Sequence, residues 1–183
     1  VKGVRLADDK AVGEETVLYR HEKSFAHKTL IAINLNDTDT EHKKTLEAIK
    51  IYRLERVGEV LTVDAVSVTQ TKEDGAAFLD LAKDAAEITG LPLIIRAQNP
   101  DTCEKAAQIA KKTGGVITGV TAENADLMRK IAEDNGQILC VTAPDIDGVA
   151  ALTARLKESG FNNLLIEFKT HTLAEAFQTN TIA

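Results

Sequence analysis

A chain of 183 residues that is 44% hydrophobic can bury one good core and is too short for two ordinary domains. Only 4% of it is aromatic and none is Trp, so that core must be built from Ala, Leu, Ile and Val, a mix that suits parallel strands covered by helices. The formal net charge of −6 and the lack of any basic run argue against a nucleic-acid or anionic-membrane surface.

No apolar run approaches the roughly 18–20 residues that span a bilayer. The start, at Val1, lacks the charged-then-apolar pattern of a leader. Two cysteines cannot make a disulfide framework. Cys103 reads near a helix start and Cys140 inside a strand, so both are expected to be reduced packing residues of a cytoplasmic protein.

In chain order, residues 3–6 are expected to pair with residues 16–19 as an opening hairpin, turning through Asp8-Asp9-Lys10. A dense polar cluster, Arg20 to Ser24, follows. The first 24 residues then form a hairpin with a polar rim, and residues 25–183 form the β/α repeats of one domain. Apolar runs of strand length fall at 30–35, 61–68, 93–95, 116–120, 138–141 and 164–168. Their continuous apolar character indicates strands buried on both faces, and a segment of helical periodicity follows each.

The helices are punctuated by recognisable ends. Thr38 with Glu41 and Thr172 with Glu175 have capping-box spacing. Phe78, Leu81, Ala82, Ala85 and Ile88 share one face of a helix that ends at Gly90, with Pro92 beyond it. Asn99-Pro100 reads as an N-cap followed by proline at the first helical position, with Gly114 closing that helix. Val149, Leu152 and Leu156 form a last stripe, stopped by Gly160.

Six β/α units suit either an open doubly wound sheet or part of a closed eight-stranded barrel, which needs about 250 residues. A doubly wound nucleotide domain should carry a glycine fingerprint after its first strand. This chain has Asn36-Asp37-Thr38-Asp39-Thr40 there.

Few constellations suggest chemistry. His21-Glu22 and His27 are spaced six apart rather than four, so the histidines would not share a helix face as zinc ligands do. Gly114-Gly115 and Gly119 lack the Gly-Lys-Ser/Thr of a phosphate loop. Neither a Gly-x-Ser-x-Gly elbow nor a Cys-x-x-Cys pair exists, so no serine nucleophile, metal site or iron–sulfur ligand set is read.

Barrel active sites lie at the C-terminal ends of strands. Here those positions hold Asn36, Asp37, Gln70, Gln98, Asn99, Thr121, Asn124, Asp145, Lys169 and His171. The set is rich in amides able to bind a planar heterocycle, and Asn36, Gln98, Asn99 and Asn124 are the cofactor-binding candidates. It has no obvious acid–base pair, so no catalytic residue is assigned. Asn99, Thr121 and Asp145 also suit helix N-caps, which explains them without a ligand.

The stretch Gly-Glu-Glu-Thr-Val-Leu-Tyr-Arg-His-Glu-Lys-Ser-Phe from Gly13 to Phe25 resembles the start of the barrel domain in large (gamma) subunits of corrinoid/iron–sulfur proteins. So do Glu55-Arg56-Val57-Gly58-Glu59 leading into residues 61–68, Leu91-Pro92-Leu93-Ile94-Ile95, Asn99-Pro100-Asp101, Thr121-Ala122-Glu123-Asn124 and Ala143-Pro144-Asp145-Ile146-Asp147. The likeness covers nearly the whole chain. It implies a (β/α) barrel, here truncated after its sixth strand and preceded by an N-terminal β-hairpin.

In that family the barrel lies between an iron–sulfur domain and a corrinoid-binding domain. The carrier takes a methyl group from methyltetrahydropterin on corrinoid cobalt and passes it to acetyl-CoA synthase. The resemblance therefore implies a cobalamin-type corrinoid and a four-iron four-sulfur cluster in flanking domains, with no cofactor inside this chain. The implied partners are a small barrel subunit, acetyl-CoA synthase and a methyltransferase component. The rival expectation is a barrel that binds the pterin and itself promotes methyl transfer. One departure stands out: where the family usually has Asp-Pro-Gly after the sixth strand, this chain has Glu167-Phe168-Lys169-Thr170-His171.

Overall fold

The computed structural model describes residues 3–19 and 22–182. Two short antiparallel hairpins open the chain: β1 (Val4–Ala7) with β2 (Lys10–Val12), and β3 (Glu15–Tyr19) with β4 (Glu22–Phe25). The single long-range hairpin expected between residues 3–6 and 16–19 is therefore replaced by two local ones. Asp8-Asp9 turns the chain so tightly that Val4 faces Val12, and closing the smaller loop costs less entropy. Within the expected polar rim, Arg20 and His21 lie outside the described residues.

The β/α rhythm then runs β5 (Ala32–Asn36), α1 (His42–Ile51), a third hairpin of β6 (Leu54–Arg56) and β7 (Glu59–Leu61), β8 (Ala65–Thr69) and α2 (Ala76–Thr89). It continues with β9 (Leu93–Arg96), α3 (Pro100–Ile109), β10 (Gly115–Val120), α4 (Ala125–Asn135), β11 (Ile138–Val141), α5 (Ile146–Glu158), β12 (Leu164–Ile166) and α6 (Leu173–Ile182). The expected strand over 61–68 divides: Leu61 ends the β6–β7 hairpin, and the sheet strand begins at Ala65.

One six-stranded parallel sheet, ordered β12-β11-β10-β9-β8-β5, carries the fold. Each strand pairs with its sequence neighbour, without the reversal of a doubly wound sheet. This sequential order is that of a barrel.

The strands bury two different faces. On the helix side, Val66, Val68, Leu93, Ile95, Ile117 and Leu139 pack against Leu46, Phe78, Leu81, Ile131 and Leu156. On the lumen side, Val116, Ile138 and Cys140 meet Val4 and Leu6 of β1, so the first hairpin plugs the inside of the sheet. Asp64 pins this plug. Its buried carboxylate accepts from the Ile31 N–H (3.0 Å) and lies near Lys10 Nζ (3.4 Å) and Lys28 Nζ (3.6 Å). Gly114 serves the same contact rather than ending α3, which stops at Ile109: a Cβ there would sit 2.0 Å from the Leu6 carbonyl oxygen.

Most caps follow the residue pattern. The Asn99 carboxamide accepts from Thr102 N–H (2.9 Å) with Pro100 opening the helix, and Gly90 ends α2 in the left-handed region. Thr172 Oγ1 accepts from Glu175 N–H (3.1 Å), while Glu175 accepts from His171 N–H (2.8 Å). Thr38 and Glu41 do not form the expected box. Glu41 is itself the N-cap residue of α1, and its N–H donates to Asp39 Oδ1 (2.9 Å).

His42 clasps α1 to α2. Its Nε2 lies 2.8 Å from Asp84 Oδ2, and its Nδ1 lies 2.9 Å from the Asp39 carbonyl oxygen. Two acceptors favour a ring protonated at both nitrogens. The Asp84 hydrogen bond, then the Asp39 carbonyl, raise the His42 pKa, and the bond to His42 lowers that of Asp84.

Replacing Phe78, which is fully buried, by alanine should cost about 3–5 kcal/mol in urea unfolding. The clasp should make stability depend on pH. The His42 contribution is complete below the ordinary histidine value of 6.5 and is lost as pH rises through the higher folded value. The Asp84 contribution is present above 3.8 and is lost as pH falls through its lower folded value. Between about pH 5.5 and about pH 8.5 the urea midpoint of His42→Gln should therefore fall less than that of the parent chain.

Candidate functional site

Alternation along the strands gives the lumen a polar upper layer above the plug. Leu35, Val66, Val68, Ile95 and Ile117 turn to the helices, so Asn34, Asn36, Ser67, Thr69, Arg96 and Thr118 turn inward. Residues 61–68 and 93–95 read as strands buried on both faces, with Thr62, Asp64 and Ser67 passing for interruptions of the first run, which hides this layer. The usable signal was a period of two: Asn34 and Asn36, Ser67 and Thr69, with Arg96 just past the third run.

The inward groups bond chiefly to one another. Thr69 Oγ1 donates to Asn34 Oδ1 (2.7 Å), Asn34 Nδ2 donates to Asn36 Oδ1 (3.1 Å), and Thr118 Oγ1 donates to the Ile95 carbonyl (3.0 Å). Arg96 Nη2 reaches from β9 to Glu167, just beyond β12, at 2.8 Å. That ion pair passes β10 and β11 and sets a cation and an anion against each other at the strand ends. An open cavity of about 480 Å3 beside it is lined by Ala32, Asn34, Ser67, Thr69, Ile94 and Arg96.

Of the strand-end candidates, Asn36 lies in this layer. Asp37 is buried and accepts from the backbone N–H groups of Thr71 (2.9 Å) and Lys72 (3.0 Å) and from the Thr71 hydroxyl. Burial alone would raise its pKa. The Thr71 hydroxyl, the two N–H groups and the Lys72 charge together outweigh burial and hold the carboxyl below the usual aspartate value.

Gln70 continues the network. Its Oε1 accepts from Gln98 N–H (2.9 Å), its Nε2 donates to the Lys72 carbonyl (2.8 Å), and its own carbonyl accepts from Gln98 Nε2 (3.3 Å). The loops after β5, β8 and β9 are thereby tied into one rim.

The remaining candidates are spread around that rim. Asn99 and Asp145 cap α3 and α5, the latter accepting from Gly148 N–H (2.7 Å). Thr121 is not the cap of α4. Asn124 holds that position, and its side chain turns back to accept from Thr121 N–H (2.8 Å) and donate to the Gly119 carbonyl (3.2 Å). Lys169 borders a cavity of about 470 Å3 with Thr121, Glu123, Thr142 and Pro144. His171 is exposed beside α6.

A four-iron four-sulfur cluster takes four cysteine thiolates, whereas burial pushes both Cys103 and Cys140 up to about 12. His27, from the histidine pair considered in the sequence, lies 3.1 Å from Glu14, and His21 is outside the described residues. Among the described residues no three His, Cys, Asp or Glu side chains group to hold a metal ion, and no helix is long and apolar enough to cross a membrane.

Comparison with known proteins agrees with this architecture. The dihydropteroate synthase FolP of Thermus thermophilus superposes with a TM-score of 0.61 at 14% identity, covering 99% of this chain and 73% of that one. At that identity the likeness concerns the fold. The corrinoid/iron-sulfur protein large subunit of Moorella thermoacetica is 30% identical over 158 residues, covering 85% of this chain and 35% of that protein. The acetyl-CoA decarbonylase/synthase complex subunit gamma 1 of Methanosarcina thermophila is 28% identical over 167 residues, covering 87% and 35%. The chain thus spans about a third of the length of these relatives. Residues 5–182 match the family described as the CO dehydrogenase/acetyl-CoA synthase delta subunit, and the chain belongs to that family.

Proposed function

We propose that this chain is the barrel portion of a corrinoid/iron–sulfur methyl-carrier subunit in acetyl-CoA synthesis or cleavage, and that it acts mainly as a scaffold. One observation supports the scaffold reading: most of the hydrogen-bonding groups at the strand ends are already committed within the protein, while the buried Ser67 and Thr142 hydroxyls have no partner among the described residues. Gln70, Gln98, Asn99, Asn124 and Asp145 bond to backbone groups of the rim, and Arg96 and Glu167 bridge the mouth. A heterocycle would have to displace bonds already formed, at a cost near that of leaving each group unpaired. The corrinoid and the cluster would then belong to polypeptide outside these residues. The barrel's outer surface would meet the small subunit, acetyl-CoA synthase and the methyltransferase component.

A second reading, in which the barrel binds methyltetrahydropterin and promotes methyl transfer, draws on the inward Asn34, Asn36 and Thr69 beside an open cavity. Calorimetric titration with methyltetrahydrofolate separates the two. The scaffold reading expects no heat at ligand concentrations up to about 1 mM, together with copurification of a small barrel subunit. Micromolar binding that Asn36→Ala weakens tenfold or more would replace it with the pterin reading.

A further inference from the structure

The cavity of about 470 Å3 bordered by Lys169 lies between the loops that follow β10 and β11, against α5 through Gly148 and Leu152. None of its lining residues belongs to the Asp37, Gln70 and Gln98 network. Bonds made away from the cavity fix its walls. Thr121 N–H donates to Asn124 Oδ1 (2.8 Å), Arg155 Nη1 donates to the Ala122 carbonyl (3.0 Å), and Gly148 N–H donates to Asp145 Oδ1 (2.7 Å). Walls that are already ordered leave a ligand little ordering cost on entry.

Two unlike charges line this cavity without meeting. Glu123 accepts from the Thr121 hydroxyl (2.9 Å) and joins no ion pair among the described residues. Lys169 has neither a hydrogen bond nor an ion pair among them, its neighbour Glu167 being held by Arg96 at 2.8 Å. The sheet order β12-β11-β10 sets their backbones two strand spacings apart, about 10 Å, with the Thr142 loop between them. Thr142 also lines the cavity. It is 2% exposed, and its hydroxyl has no partner among the described residues. A buried hydroxyl left unpaired destabilises the fold, and a ligand atom bonded to it would remove that cost.

We propose that this cavity binds a free α-amino acid with a small aliphatic side chain. Its carboxylate bonds to Lys169 and the Thr142 hydroxyl, its ammonium bonds to Glu123, and its side chain lies against Ala122, Pro144 and Leu152. A plain anion would face Glu123 as well as Lys169, and a plain cation would face Lys169 as well as Glu123. A molecule carrying both charges satisfies the two together. The volume falls within the roughly 300–1,000 Å3 of small-molecule sites, at the end that suits a compact ligand. The site uses none of the inward residues of β5, β8 and β9, so it stands apart from both the scaffold and the pterin readings.

Titration calorimetry of the full-length protein with L-leucine tests this. The expected Kd is about 1 mM or tighter. Isocaproate, which keeps only the carboxylate, and isoamylamine, which keeps only the ammonium, should each bind about tenfold more weakly or worse. Lys169→Met and Glu123→Gln, both at exposed positions where folding is unaffected, should each weaken leucine by about tenfold or more. Thr142→Val should weaken it about threefold while leaving the thermal midpoint unchanged or higher, since it deletes an unpaired hydroxyl. The absence of leucine heat at about 10 mM overturns the proposal. So does leucine binding that Lys169→Met and Glu123→Gln leave unchanged. Equal binding of either single-charge analogue overturns it too, as does equal binding of N-acetyl-leucine amide, the mark of a site for a peptide segment.

Discussion

A parallel sheet with almost no aromatic residues cannot fill its own lumen, and that constraint organises the molecule. The side chains that point inward at the lower end include Val116, Ile138 and Cys140, with Ile94 and Leu165 packed beside them, and no aromatic ring is among them. The opening hairpin supplies the missing volume with Val4 and Leu6. Asp64 joins that plug to the strands through one backbone N–H and two lysines, and Gly114 removes the Cβ that would keep the hairpin out. Above the plug the lumen turns polar, because nothing apolar is left to cover it.

The polar layer then sets what the barrel can do. Asn34, Asn36 and Thr69 bond to each other, the buried Ser67 hydroxyl has no partner among the described residues, and Arg96 and Glu167 neutralise one another across the mouth. Behind them, Asp37, Gln70 and Gln98 lock three successive loops into one rim. A rigid, electrically balanced rim suits a part that holds other parts in register. Burial raises the pKa of both thiols, Cys103 and Cys140, to about 12.

Much of the helix layer was legible in sequence because its signals are local. Asn99-Pro100, Gly90 and the Phe78, Leu81, Ala82, Ala85 stripe each report on one turn of backbone, and each appears where the pattern placed it. The six sheet strands were found for the same reason. Pairing was less legible. Nothing within residues 3–19 distinguishes a local partner for Val4 from a distant one except the tightness of the Asp8-Asp9 turn. The β6–β7 hairpin was missed because Leu61, Val63 and Val66 form one apolar run on paper, although they serve a groove, a bend and a sheet. The lumen layer was hidden because a strand buried on both faces still alternates, and small polar residues such as Ser67 look like noise within it. Arg96 and Glu167 lie 71 positions apart, a pairing that only the strand order reveals.

The central claim is that this barrel works through its outer surface and leaves its lumen to internal bonds. Hydrogen exchange on the intact carrier subunit, with the small subunit and with methyltetrahydropterin added separately, tests it most directly. The account predicts that the small subunit slows exchange on the outer surface, while the pterin leaves the strand ends at residues 34–36, 67–69 and 96 unchanged. Protection of those strand ends by the pterin alone would contradict it.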